Sequence, residues 1–387
     1  MNSNYLLYSI LGLVGLCSIS CTTDDIPPTS ERDAGSIYLR ASVESKTSSR
    51  APFDPTDGSG NSLDAPTMSH PLDVSVWAST NSEMFPNEGE NGSDGTVAIH
   101  TNAHFQSGAP QLLGEAIYPK DSLTNVYFVG LHPKSVDGGN SWTASDDNRA
   151  ASYTFTGKDD VMFAPQIYGT YGIDFNNSPQ FHFHHLLTWL NVEMVADKDE
   201  EDITQRETVS AAWGKIKSLA IVSKDKVTIR NLKDVTNDNY AKNVDFDGSQ
   251  DQEISFFYND TDNPFPGTDG FSIPTTKTAV AYVMCAPVDA EHTYIVDGQD
   301  VLKPEYTLHL KTEKRTLDIP VDLKVSEGET KSNYFTDSTM GKRFTLLLNF
   351  KMGNVISVSA TISLEGNSDW FTHGTGSNDI KEEDIDE

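Results

Sequence analysis

The sequence predicts an all-β protein of antiparallel sheets packed as sandwiches, and three observations point there. Short runs rich in β-branched and aromatic residues recur along the chain, each bounded by Gly, Pro, Asn or Asp. No 12-residue window keeps a 3.6-residue apolar period, and QRETVSAAWGKI (205–216) is the one candidate for a short helix. The chain has 387 residues but only 3 cysteines, so it depends on a large apolar core and not on disulfides.

In chain order, the first twenty residues hold an apolar stretch from Leu6 to Leu16. It is too short to cross roughly 30 Å of hydrocarbon as a helix, so residues 1–20 read as a signal peptide. Small residues then precede Cys21 in Ser18-Ile19-Ser20-Cys21, which resembles the lipobox of bacterial lipoproteins. That resemblance implies a diacylglycerol on Cys21 as the first mature residue and anchorage in the outer membrane. An ordinary cleaved signal peptide is the alternative. Residues 21–35 are polar with two prolines and read as a flexible tether. Their Asp24-Asp25 resembles the acidic surface-export signal of Bacteroidetes lipoproteins.

Strands are then expected at 37–44, 73–79, 96–101, 125–131, 181–195, 216–223, 226–232, 253–258, 278–284, 293–297, 306–311, 315–323, 344–350 and 355–363. The polar stretch from Asp234 to Gln252 has little to bury and is the best boundary, dividing the chain into residues 36–240 and 241–387. After Trp370 the sequence is an acidic tail.

Charge narrows the function. With 57 acidic and 28 basic residues the net charge is -29, which argues against binding nucleic acid or anionic headgroups. No G-x-S-x-G, H-E-x-x-H or phosphate-cradling glycine loop is present, so nothing supports an enzyme and no cofactor is expected. A hydrolase would instead need two carboxylates about 5 to 10 Å apart in a cleft.

Four features have a functional reading to weigh against a bland one. In Phe181-His182-Phe183-His184-His185, imidazoles two apart share a strand face and could ligate a metal, but the following LLTWLNV favours histidines packed within a sandwich. Asp245 to Glu253 alternates carboxylates yet misses the EF-hand order, and reads as a solvated linker like Asp57 to Asn61. Cys285, in TAVAYVMCAP, reads as a buried thiol. Arg50, in Lys46-Thr47-Ser48-Ser49-Arg50-Ala51, lies where a protease can bind extended backbone, the alternative being a solvated linker arginine.

Taken in order, the lipobox, the first strand ending in Arg50-Ala51, Lys158-Asp159-Asp160-Val161-Met162-Phe163-Ala164, Phe181-His182-Phe183-His184-His185-Leu186, and the closing ATIS followed by Trp370 resemble the fimbrillin family of Bacteroidetes pilins and fimbrillin-like lipoproteins. The resemblance implies two transthyretin-like β-sandwich domains in tandem and a core position for His185. It also implies that an Arg-specific protease cuts between Arg50 and Ala51 and releases the strand from Ile37 to Glu44. A donor strand from the next fimbrial subunit then fills the groove. The donor is either VISVSATIS (355–363), or the protein is a tip, accessory or anchor subunit. A host or bacterial surface receptor is a further expected partner. Surface glycan or protein binding without polymerisation is the competing reading, and burial of Trp77, Trp142, Trp189 and Trp213 would weaken its glycan form.

Overall fold

The computed structural model describes residues 36–43, most of 71–361, and 378–380. Residues 1–35, 44–70, 86–97, 172–178, 362–377 and 381–387 lie outside it, with shorter breaks between described segments. Among the described residues the chain is almost wholly β, with one α-helix.

The strands run β1 (Ser36–Val43), β2 (Leu72–Ser79), β3 (Ala98–Phe105), β4 (Gln111–Ile117), β5 (Asn125–His132), β6 (Thr143–Ala144), β7 (Ala150–Thr154), β8 (Met162–Thr170), β9 (Gln180–His185) and β10 (Thr188–Ala196). After α1 (Ile203–Trp213) come β11 (Ile216–Ser223), β12 (Lys226–Arg230), β13 (Val244–Asp247), β14 (Gln252–Ser255), β15 (Phe257–Tyr258) and β16 (Thr278–Cys285). The rest are β17 (His292–Val296), β18 (Gln299–Lys303), β19 (Glu305–Thr312), β20 (Thr316–Asp322), β21 (Lys324–Glu327), β22 (Lys331–Tyr334), β23 (Arg343–Phe350), β24 (Ile356–Thr361) and β25 (Asn378–Ile380).

Seven strands form one sheet in the order β3-β2-β5-β8-β9-β1-β4. It curls on itself: Phe105 of β3 meets Phe181 of β9 edge to face, with ring centroids 6.5 Å apart. Ile37, Leu39, Val74, Val76, Phe128, Met162, Phe181 and Phe183 are among the side chains it encloses as one core. Close packing sets one glycine here, because a Cβ on Gly130 of β5 would stand 2.6 Å from the Phe183 ring.

A second core is built from the outer face of that sheet and from the rest of the chain, drawing in Trp77, Leu131, Phe163, Trp189, Trp213, Leu308 and Phe344. Its centre is the sheet β15-β16-β10-β23-β24-β25. The sheet β14-β11-β19-β20 and the sheet β13-β12-β7-β6 complete it. β10 runs parallel to β23 from Trp189↔Arg343 to Ala196↔Phe350, so pairing crosses the polar stretch 234–252.

Two expectations change. The run 181–195 is not one strand: it breaks at Leu186-Leu187, both fully buried, where the chain leaves the seven-stranded sheet for the central one. The stretch around Asp245 is not a bare linker either, because Val244–Asp247 pairs with β12 through Val227↔Phe246 and its neighbours. The helix overlaps the expected region and starts two residues before it, with Asp202 accepting from the Thr204 amide as N-cap and Trp213 buried at its end.

Candidate functional site

The first strand is where sequence and fold meet. Its residues alternate, and Ile37, Leu39, Ala41 and Val43 are all buried. What the sequence does not convey is its place in the sheet. β1 pairs antiparallel with β4 (Tyr38↔Leu112, Leu39↔Gln111) and parallel with β9 (Arg40↔Gln180 to Val43↔Phe183). It therefore lies inside the sheet, and β4 joins the sheet only through it. The β1–β4 register slips between Ser36 and Tyr38, and on the β4 side of that bulge Gly114 takes φ 52°, a conformation glycine adopts without strain.

The Ser42 side chain ties β1 to β9 through two contacts. Ser42, 7% exposed, donates its hydroxyl proton to the Phe181 carbonyl at 3.1 Å, and its Oγ lies 2.6 Å from His182 Nδ1. A hydroxyl has one proton, so with that proton on the carbonyl the imidazole Nδ1–H is the donor.

The remaining histidines are structural. His184 stacks on Tyr240 with centroids 4.0 Å apart and reaches Asn237 Oδ1 through Nε2 at 3.1 Å. His185 Nδ1 sits 2.9 Å from Asp160 Oδ1, and neither side chain is more than 4% exposed. Asp160 Oδ2 has no hydrogen-bond partner among the described residues. Sequence reasoning found no acidic partner near the histidines because this one arrives from 25 positions earlier, in Lys158-Asp159-Asp160. Among the described residues no three His, Cys, Asp or Glu side chains are placed to hold a metal ion.

Two imidazoles, His182 and the buried His132 at the end of β5, titrate abnormally. Burial holds His132 below the usual histidine range, against the pull of the Asp160 carboxylate and of the Asp73 backbone carbonyl that its Nδ1 meets at 2.6 Å. Burial, then the neighbouring His184, lowers His182 likewise. Both take up protons more readily unfolded than folded, so their contribution to stability is complete above about pH 6.5 and is lost as pH falls below it. Between about pH 7 and about pH 5 the melting temperature should fall, and His132→Gln should make the fall shallower by calorimetry. An identical slope in the variant would contradict this.

Asp245 and Asp247 share Arg230, with Nε–Oδ2 at 2.8 Å and Nη2–Oδ2 at 3.4 Å, on open surface where such pairs contribute little. Cys285 is fully buried and its thiol is pushed up to about 12 by burial, which makes it inert. Trp77, Trp142, Trp189 and Trp213 are all buried. Cys21, Arg50, Ala51, Asp57 to Asn61 and Trp370 lie outside the described residues. Among the described residues no helix is long and apolar enough to cross a membrane.

No protein-family model and no curated protein matches the sequence. Among solved structures the chain is similar to a Bacteroides ovatus protein named provisionally for cell adhesion, at 12% identity and TM-score 0.47, covering 88% of this chain and 100% of that one. A Bacteroides uniformis protein with the same provisional name gives 13% identity and TM-score 0.42, covering 86% and 98%. A fimbrial assembly protein from Parabacteroides distasonis gives 10% identity and TM-score 0.34, covering 84% and 95%.

Proposed function

We propose that the chain is a non-catalytic, adhesive subunit of a cell-surface fimbrium. It is exported as a lipoprotein on Cys21, carried to the outer membrane, and assembled by strand exchange after an Arg-specific protease cuts between Arg50 and Ala51. The observation that carries the reading is the position of β1, held between β4 and β9 and followed within a few residues by Arg50. A strand at a sheet edge could leave with little consequence. Removing this one unpairs two strands at once and opens the core beneath it.

The donor on this reading is the C-terminal strand of a second copy. β1 is spelled Ile37-x-Leu39-x-Ala41-Ser42-Val43, and the region of β24 is spelled Ile356-x-Val358-x-Ala360-Thr361-Ile362. The two segments share the order of large, large, small and large apolar residues at alternate positions, with a hydroxyl before the last. β24 is held in its own sheet by β23 on one side and by the three-residue β25 on the other. Its outer edge is thus lightly covered.

Treating purified protein with an Arg-specific protease should give a chain beginning at Ala51 and oligomers that survive mild detergent, while Arg50→Ala should stay monomeric. Normal polymers from Arg50→Ala would overturn the mechanism. A surface receptor-binding protein that does not polymerise is the second reading. A cleft of about 720 Å³ lined by Lys224, Lys242, Phe246, Val288 and Met340 favours it, and the burial of the four tryptophans counts against a glycan-stacking version.

A further inference from the structure

Strand exchange requires the entering strand to stop in one register, and apolar alternation alone does not enforce that. A slip of two residues keeps every apolar side chain on the inner face, so the hydrophobic pattern rejects odd slips and tolerates even ones. Something else must distinguish position 42 from positions 40 and 44. In the sequence those neighbours are Arg40 and Glu44, long charged residue types, whereas Ser42 is short, buried and hydrogen-bonded. The groove side of that contact is supplied wholly by β9, through the Phe181 carbonyl and His182 Nδ1.

We propose that His182 and the Phe181 carbonyl form a register lock that selects, in the strand lying between β4 and β9, a Ser or Thr hydroxyl at the position held by Ser42. The assignment of a second copy as occupant rests on the assembly reading above; the lock itself does not, because β1 already uses it. The chemistry is directional. Nδ1–H needs an acceptor and the carbonyl needs a donor, and a hydroxyl is the smallest group that serves as both at once. Alanine serves neither, and a carboxylate cannot donate to the carbonyl. An ammonium or guanidinium cannot accept from the imidazole. In β24 the corresponding position is Thr361; Ser359 and Ser357 would also satisfy the hydroxyl contact after an even slip, so in that strand the lock requires a hydroxyl and the small Ala360, at the place of Ala41 between large apolar residues, picks Thr361. His182 is accordingly a specificity-determining residue of the groove.

The test has two arms that fail independently. In the intact chain, Ser42→Ala, His182→Ala and the double variant are compared by denaturant unfolding. The lock predicts that each single change lowers the folding equilibrium constant roughly threefold to tenfold, and that the double variant loses no more than the worse single one. Additive losses would overturn it. In protein cut after Arg50, synthetic peptides spelled SIYLRASV, SIYLRATV and SIYLRAAV are bound to the emptied groove. The Ser and Thr peptides should bind alike, the Ala peptide roughly threefold to tenfold more weakly, and His182→Ala should abolish the difference. Equal binding by all three to the unmodified groove would overturn the lock. If no peptide binds at all, the assembly reading is what fails, and the intact-chain cycle still decides the lock.

Discussion

Removing residues 36–43 should cost the seven-stranded sheet more than any substitution within it. Ile37, Leu39 and Val43 are buried to 4% exposure or less, and each such side chain contributes about 1.5–3 kcal/mol, so together roughly 5–9 kcal/mol. The backbone adds to the loss, since β4 keeps no named strand partner and β9 keeps only β8. Whole domains are stable by only about 5–15 kcal/mol, so the sheet without β1 sits near the point of unfolding. Hydrogen exchange should show this directly. Amides of Gln111–Ile117 and Gln180–His185 are expected to lose protection when the strand is absent and to recover it when a peptide spelled SIYLRASV is added. Unchanged protection would mean that β1 is an ornament of the fold. The same instability would give the proposed strand exchange its direction, because an emptied groove favours a strand that fits.

His185→Ala is expected to have the largest effect of a single substitution. Asp160 has no solvent-exposed side-chain surface, and His185 Nδ1 lies 2.9 Å from its Oδ1 at the end of the sheet. Taking away the imidazole leaves a buried carboxylate uncompensated, which costs about 3–5 kcal/mol. Asp160→Asn in the same background removes the charge and should recover part of that loss, measured by urea unfolding. A His185→Ala protein as stable as the parent would contradict this role for the pair. The pair stands where β9 ends and the chain crosses to β10, so its loss should loosen the junction between the two cores first.

The legible part of this protein was local. The period-two alternation of Ile37, Leu39, Ala41 and Val43 is visible in the sequence and is what the sheet uses. Its partners were not legible, because pairing β1 in parallel with β9 depends on residues more than 130 positions away, as the bond from Ser42 to Phe181 shows. β4 escaped notice because QLLGEAI carries a glycine at positive φ and no β-branched alternation. β8 did so because MFAPQIYGT contains proline and glycine, which usually mark turns. The break at Leu186-Leu187 was hidden by the continuous apolar run 181–195, since a buried crossing between sheets has no polar signature. The histidine cluster was seen but its chemistry was not, for its carboxylate lies on another segment. Cys21 and Arg50 were readable as motifs, and they fall outside the described residues.

The central claim is that β1 must leave before another copy can enter. Arg40 and Gln180 are register partners across β1 and β9, so Arg40→Cys with Gln180→Cys can staple the strand in place, and the only described cysteine, Cys285, is too buried to interfere. Polymer formation is then followed after cleavage at Arg50, with and without reductant. The account predicts a cut but monomeric protein while the staple holds, and polymers once it is reduced. Polymers forming at the same rate with the staple intact would contradict it.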